Sequence, residues 1–447
     1  MTYDVLLHKI QHQEAKIGVI GLGRVGLPTA LSFCREGFSV IGHDVDKNLL
    51  SNINSKKSPF EEEGIEGMLK SSIDEKKFHT TDSMQQIVND SDVLIVCVAT
   101  PITEDIRPDL SYLENVCNSL SKLSLSGKII IIESSIPPGT FDMLVLPLIG
   151  KKNKIGEDCW VAFVPERFAP GNAFSEIRST PRMIGVVDDD SGLLVKKLYE
   201  KIVSSQVVTT TVQIAEVAKL VENTYRDVNI ALANEVGLIC EKYGIDVLEL
   251  IKICNSHPRV KLLQPGPGVG GPCLPKDPYL LLNPHGSELI DSKIILDSRK
   301  INDNMPYHVV NLIMKSLDAQ NKPPTSSTVL VLGVAYKANV SDTRHSPAKD
   351  IISQLIKNGC KVLVLDPKTN ESFGGQGTTD LWKAVSCSDV LTVLTDHDEF
   401  KKLDLKKIQE TMKKIPIIVD TRRVFNSKEA EEMNIKYVSI GYTKNLS

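Results

Sequence analysis

Residues 15–26 read AKIGVIGLGRVG. A short apolar run leads without a break into Gly21-Leu22-Gly23-Arg24-Val25-Gly26, and a helical pattern follows as far as Gly37. The succession is strand, glycine turn, helix. The next apolar run, 38–42, ends at His43-Asp44, so a carboxylate stands eighteen residues after Gly26 at the tip of a second strand. Each part has a physical job. The first glycine makes a tight turn, the second lets the backbone approach a pyrophosphate, and the third lets helix and strand pack closely. The helix N-terminus offers free amides and partial positive charge to phosphates. Asp44 suits the hydroxyls of an adenosine ribose and repels a 2'-phosphate, so the expected cofactor is NAD rather than NADP.

The same rhythm continues downstream. Residues 93–99 (VLIVCVA) and 128–133 (KIIIIE) read as buried strands, followed by the loops 100–109 and 134–140. Open α/β sheets bind ligands at strand carboxyl ends, which places Thr100 and Thr140 on the nicotinamide side. Taken singly, either threonine is equally a turn or cap residue. Residues 160–164 form one more strand and deliver Glu166 and Arg167 to the same edge, although a solvated loop pair reads the same way.

After a β-branched run at 206–211, a helical pattern extends from 212 to 243 and closes at Gly244. Ile214, Val217, Ala218, Val221, Val228, Ala231 and Leu232 recur at three and four residues, and Glu216, Lys219, Asn223 and Asp227 form a polar stripe. Pattern alone makes that stripe the wet face. A helix of this length also commonly links domains or forms a subunit contact, and its polar groups then face a cleft. A further helix is expected at 246–254, and another at about 291–317, broken by Pro306. The segment 321–327 reads as a linker. Beyond it the βαβ pattern restarts without a glycine fingerprint, with strands at 328–333, 361–365, 390–394 and 415–419. Its first loop carries Lys337, Asp342 and Arg344, a cluster suited to a nucleotide diphosphate. The expected architecture is α/β: two Rossmann-like parallel-sheet domains joined by a long central helix. The boundaries are 1–205 for NAD binding, 206–320 for a central helical dimerisation domain, and 321–447 for a second Rossmann-like domain.

Residues 266–277, GPGVGGPCLPKD, are too rich in Gly and Pro for helix or sheet and must form a shaped loop. Cys273 is a nucleophile candidate there, Lys276 a neighbour able to lower its pKa, and Asp277 a group for a proton or a water. A surface turn with an incidental cysteine fits the same residues.

Composition narrows the partners. With 52 basic and 56 acidic residues the net charge is -4, so neither nucleic acid nor an anionic membrane is favoured. No run reaches eighteen apolar residues, and the N-terminus lacks signal-peptide character, which leads to the expectation of a cytoplasmic protein. The nine cysteines are scattered without metal spacing, which implies reduced thiols and no metal site.

Taken in order, GLGRVGLP with Asp44, SSIPPGT, VPER, AKLVENTYR, GVGGPCLPKD, GVAYKANVSDTRHSP and VDTRR resemble the UDP-glucose/GDP-mannose dehydrogenase family from residue 15 to about 425. PDLSYL, VPERFAPGNA and HPRVKLLQPGPGVGG look more like the branch acting on UDP-N-acetylhexosamines. The UDP-glucose branch usually has a second Glu four residues after the one matched by Glu166, where this chain has Pro170. The resemblance implies oxidation of a sugar 6-hydroxyl to a carboxylate by two NAD. UDP-N-acetyl-D-mannosamine is the implied substrate and UDP-N-acetyl-D-glucosamine the runner-up. It makes Cys273 the nucleophile, with Lys219 and Asn223 stabilising the oxyanion and Asp277 acting with Lys219 and a water. Glu166 and Thr140 assist. Gly21, Gly23, Arg24, Val25, Gly26, Asp44, Thr100, Thr140 and Arg344 make up the cofactor set. Glu166, Arg167, Lys219, Asn223, Arg259, Gly270, Lys337 and Arg422 make up the UDP-sugar set. Arg259 in this family reaches a neighbouring subunit's site, so a homodimer on the long helix is implied. A non-catalytic binding paralogue is the alternative of another class, and loss of Cys273, Lys219 or Asp277 would favour it. All three are present.

Overall fold

The computed structural model describes residues 2–285, 287–413 and 415–444. The chain divides into two compact units, the first running to Glu222 and including Tyr279–Asp291, the second formed by Asn223–Pro278 and the chain from Ser292 onward.

In the first unit the apolar runs become strands β1 (Lys16–Ile20), β2 (Ser39–His43), β3 (Phe78–Thr81), β4 (Val93–Val96), β5 (Lys128–Ile132), β6 (Cys159–Phe163), β7 (Arg182–Val186) and β8 (Val207–Thr211). They form one sheet in the order β3-β2-β1-β4-β5-β6-β7-β8. Alternate residues point into two different cores: Ile129 and Ile131 of β5 join one, Ile130 and Ile132 the other. Burial on both faces is why these strands read as unbroken apolar runs. The sheet is not wholly parallel, because β7 pairs antiparallel with β6 and β8 runs parallel to β7. Strands β3 and β7 escaped the sequence reading. Residues 78–81, FHTT, hold a single strongly apolar side chain, and residues 182–186 begin with an arginine.

The second unit repeats the plan with β9 (Thr328–Leu332), β10 (Lys361–Leu365), β11 (Gln376–Gly377), β12 (Val390–Val393), β13 (Ile417–Asp420) and β14 (Lys436–Val438). Their order is β11-β10-β9-β12-β13-β14, and every pairing is parallel. In both units the crossover lies between the first strand and the fourth, so a switch point opens at the carboxyl end of β1 and of β9.

Proline does not break the helix expected near 291–317. Lys293–Asp318 is one helix with Pro306 inside it. Pro306 is buried next to Met305, Val309 and Val310, and its Cδ lies 3.3 Å from where a Cβ on Gly268 would stand. Tertiary packing on both sides offsets the missing amide donor.

Val212–Tyr243 is a single helix closed by Gly244 in the left-handed region at φ +65°, and the division between the units falls within it. Of the two readings its pattern allowed, the wet polar face is the one that fails. Glu216, Lys219, Asn223, Asp227 and Asn234 are 0–9 % exposed, whereas Ile214, Val221, Tyr225, Leu232 and Ile239 are 45–65 % exposed.

Candidate active site

The glycine turn between β1 and the helix Gly26–Arg35 is built for close approach. A Cβ on Gly26 would stand 1.8 Å from the carbonyl oxygen of Gly21, and one on Gly21, at φ +92°, would stand 2.6 Å from that of Cys97. Gly23 differs, since a Cβ there meets nothing within 4 Å. The protein's own packing thus requires the first and third glycines, and the second faces open space where a pyrophosphate fits. Asp44 caps the turn: its Oδ2 accepts the Leu22 N–H at 2.8 Å and its Oδ1 the Asp46 N–H at 3.0 Å. Lone pairs remain on both oxygens for ribose hydroxyls. The guanidinium of Arg24 lies over the Phe60 ring at 5.1 Å, and Val25 is half-buried at the helix start.

Beneath the turn lies a buried polar cluster that the sequence reading missed. Glu133, at the carboxyl end of β5, accepts from Tyr199 at 2.6 Å, Thr29 at 3.2 Å and the Cys97 thiol at 3.3 Å. Burial raises the Glu133 carboxyl above its ordinary range, against the pull of Arg182 and these donors. Burial, with Glu133 adding to it, also holds the Cys97 thiol well above its usual value, so this cysteine is an unreactive neutral donor. Arg182 reaches the carbonyl of Pro165 at 3.3 Å, next to Glu166.

The buried stripe of the long helix ties down one loop after another. Glu216 accepts the N–H groups of Gly139 at 2.8 Å and Phe141 at 2.9 Å, on either side of Thr140. Thr140 is fully buried and its hydroxyl has no hydrogen-bond partner among the described residues. Lys219 stands 3.5 Å from Glu166, both buried, and Glu166 also accepts the N–H of Phe168. Glu222 takes Arg167 in a fork of two bonds, 2.6 and 3.2 Å. Arg167, expected to meet substrate, is therefore held by the helix. Thr100 donates to the Ser135 carbonyl at 2.6 Å, linking the loops after β4 and β5.

Within the second unit, Asn223 donates to Asp277 Oδ2 at 2.6 Å, with Asp277 fully buried and Lys276 3.3 Å from its other oxygen. Asp277 opens the short helix Asp277–Leu282, and its N–H and that of Lys276 bond back to the Cys273 carbonyl at 2.8 and 3.0 Å. Cys273, half-buried, thus sits on a tight turn that ends at the carboxylate. The glycines before it let the loop press against the segment after β9. A Cβ on Gly270 would fall 2.7 Å from the His345 carbonyl, and one on Gly271 2.8 Å from the Tyr336 ring. The Gly271 N–H donates to the Arg344 carbonyl at 3.0 Å.

Farther along the helix, Asp227 binds Arg299 at 2.6 Å and Asn302 at 2.9 Å. Asn234 binds Asn302 at 2.9 Å and accepts the Gly266 N–H at 2.8 Å, at the base of the cysteine loop. Burial raises the Asp227 carboxyl despite the arginine. Arg344, read as part of a cationic cluster, is bound through three contacts of 2.6–3.1 Å to Asp342, so much of its charge is neutralised locally. Lys337 and Arg259 are exposed, and Arg422 donates to the Leu394 carbonyl at 2.9 Å.

The spacing 216, 219, 223, 227, 234 is the signal that was available for the missed residues. It is one helical face on which acids and amides recur, with Lys219 as its one cation.

An intact dinucleotide turn on one sheet, a second sheet of the same plan, and a thiol, a lysine and carboxylates tied to one helix define a two-sheet NAD-dependent oxidoreductase. The chain belongs to the UDP-glucose/GDP-mannose dehydrogenase family. Residues 15–203 match its NAD binding domain, 213–304 its central domain and 330–427 its UDP binding domain. It is 41 % identical over 414 residues to UDP-N-acetyl-D-mannosamine dehydrogenase of Pyrococcus horikoshii, covering 92 % of this chain and 96 % of that protein. The enzyme of that name from Methanocaldococcus jannaschii is 38 % identical over 96 % of this chain and 97 % of its own. The solved structure of the Pyrococcus horikoshii UDP-D-ManNAc dehydrogenase superposes with a TM-score of 0.88, covering 96 % of this chain and 100 % of that one, at 38 % identity. The protein is an NAD-dependent UDP-sugar dehydrogenase. Among the described residues no helix is long and apolar enough to cross a membrane.

Proposed function

We propose that the enzyme oxidises carbon 6 of UDP-N-acetyl-D-mannosamine to the carboxylate, holding the middle oxidation state on Cys273. NAD, held by the turn at Gly21–Gly26 and by Asp44, with Thr100, Thr140 and Arg344 assigned to the same site, accepts one hydride in each oxidation. In the first, the 6-hydroxyl gives up its proton to a water ordered by Asp277 and Lys219, leaving the aldehyde. The Cys273 thiolate adds to that carbonyl, and the oxyanion of the thiohemiacetal takes hydrogen bonds from the Lys219 ammonium and the Asn223 amide. Loss of the second hydride gives the thioester. Water activated by Asp277, with Glu166 assisting, then releases the carboxylate and the thiol. The balance is one alcohol, one water and two oxidised cofactors to one carboxylate, two reduced cofactors and three protons. Lys337, Arg422, Arg167, Gly270 and Arg259 are assigned to the nucleotide sugar.

One observation carries this reading. Asn223 and Lys219 are one turn apart on the same helix, and Asn223 is bonded at 2.6 Å to the carboxylate four residues after Cys273. The mannosamine epimer is favoured by the printed names of the relatives at 41 % and 38 % identity. The exposed stripe of Ile214, Val221, Tyr225, Leu232 and Ile239 supports a homodimer packed along the long helix, with exposed Arg259 reaching the partner's site. Nine free thiols fit a reducing, cytoplasmic compartment.

The test is NADH release from purified protein offered UDP-N-acetyl-D-mannosamine, UDP-N-acetyl-D-glucosamine and UDP-glucose in parallel, with the Cys273→Ser variant beside it. The expected result is two NADH per mannosamine turned over, and about one or fewer per site for the variant. Preference for another sugar overturns the substrate, and steady two-NADH turnover by Cys273→Ser overturns the thioester.

A further inference from the structure

Glu216 begins the buried stripe and belongs to none of the expected site residues. Its two carboxylate oxygens are both used, one by the N–H of Gly139 and one by that of Phe141. The residue between those two amides is Thr140, whose hydroxyl is buried and lacks a partner among the described residues. Gly139 takes φ +84°, a conformation that other residues rarely adopt, and the Pro138 carbonyl is anchored by the His285 N–H at 2.9 Å. The turn, which glycine alone adopts without cost, therefore holds a buried hydroxyl whose donor is unused, and a single side chain clamps both of its flanks.

We propose that Glu216 is a positioning residue for the dehydrogenase reaction: its carboxylate, through the amides of Gly139 and Phe141, fixes Thr140 with its hydroxyl free for the bound ligands. The inference rests on the reading that Thr140 serves the active site. It also makes the loop responsive to protons. An ionised carboxylate offers two acceptor oxygens to two N–H groups. A protonated one carries O–H on one oxygen, which then faces a donor, and one of the two bonds is lost.

Burial raises the Glu216 carboxyl to about 7, the two N–H groups lower it, and Asp142 adds to the rise. The other charged and titratable groups around it are few. Lys219 lies one turn along the helix and is paired with Glu166. His285 sits on the far side of the loop. Strand β7, which packs the first turn of the long helix through Gly185, carries Arg182 at its other end, over the Tyr199 ring. Above about pH 7 the carboxylate holds both flanks of the loop, and below it one of the two bonds is lost.

The first arm of the test is hydrogen exchange of peptides spanning 137–145 in the wild-type enzyme from pH 5.5 to 8.5, corrected for intrinsic rates. Protection should fall as pH drops through about 7, and Glu216→Gln should lack that protection at every pH. The second arm is kinetic. Glu216→Gln should lose about tenfold to a hundredfold in kcat, the worth of a hydrogen bond to a charged group, with the KM for the UDP-sugar within about twofold and the acid limb near pH 7 flattened. Glu216→Asp should recover part of the rate and keep a pH-dependent limb. Wild-type protection that is flat with pH, or wild-type kcat and pH profile in Glu216→Gln, overturns the proposal. If the wild type fails to oxidise any UDP-sugar, the functional reading falls, and the exchange arm still decides whether Glu216 holds the loop.

Discussion

Replacing Asn223 by aspartate turns the tightest bond around the cysteine loop into a clash of like charges, and its size follows from the geometry. The amide nitrogen of Asn223 stands 2.6 Å from Asp277 Oδ2, and the two residues are 9 % and 0 % exposed. Two unit charges at that separation, with an effective dielectric of about 20, repel by about 6 kcal/mol, and relaxation to 4 Å still leaves about 4 kcal/mol. At 1.36 kcal/mol per unit this amounts to roughly three to four and a half pKa units, so one carboxyl of the pair keeps its proton to about pH 7 or 8. While it does, the O–H replaces the lost amide donor.

The sign follows from linkage. The folded variant binds this proton more tightly than the unfolded chain, so its stability matches wild type below about pH 4 and is lost as pH rises through the raised value. Urea midpoints for wild type, Asn223→Asp and Asn223→Ala at pH 4.5, 6, 7.5 and 8.5 measure this directly. Asn223→Ala removes the donor without adding a charge. It should be destabilised by about 1.5–3 kcal/mol, the worth of a hydrogen bond to a charged group, with no added pH dependence. NADH formation by Asn223→Asp should fall off most steeply above the same pH, where Asp277 faces a second negative charge. A constant gap between Asn223→Asp and wild type across this range would falsify the contact and the role drawn from it.

Two other outcomes are expected. Asp44→Asn keeps an acceptor for the Leu22 N–H but loses the charge, so NAD should weaken by about tenfold to a hundredfold while NADP gains relative to it. An unchanged cofactor preference in steady-state kinetics refutes the assignment. On the proposed homodimer, Leu232→Glu, at the exposed stripe, should shift the light-scattering mass from dimer to monomer. A two-fold interface counts each lost leucine twice, at about 1.5–3 kcal/mol apiece. A variant that stays dimeric at wild-type concentrations moves the interface elsewhere.

What was legible in the sequence follows from which interactions are local. The turn at Gly21–Gly26 declares itself because its last glycine is demanded by an atom a few residues away, a Cβ on Gly26 falling 1.8 Å from the Gly21 carbonyl, although Gly21 itself answers to Cys97 far along the chain. The second sheet was legible as a repeat despite lacking that fingerprint, and the structure supplies the reason. Asp366, at the end of β10, does for this turn what Asp44 does for the first: its Oδ2 accepts the Val334 N–H at 2.7 Å, as Asp44 accepts that of Leu22 at 2.8 Å. There the likeness stops, because buried His397 bonds to the same oxygen of Asp366 at 3.2 Å and takes the Asn339 N–H on its other nitrogen at 2.9 Å. The acid that would greet a ribose is already engaged by protein, which suits a sheet given to a different nucleotide.

The long helix misled for the opposite reason. Amphipathic patterning assumes that a polar face is satisfied by water. Here the face is satisfied by groups far off in sequence: Gly139 and Phe141 for Glu216, Glu166 for Lys219, Asp277 for Asn223, Arg299 and Asn302 for Asp227. Buried polar groups are tolerable only when paired in this way. A buried helix face this rich in polar groups therefore marks a place where loops distant in sequence are anchored. The apolar side turned outward is the complementary sign, since so long a stripe left in water is costly unless a second surface covers it. Both anomalies agree with the proposed reading, in which one face of the helix anchors the loops assigned to catalysis and the other meets a second copy of the chain.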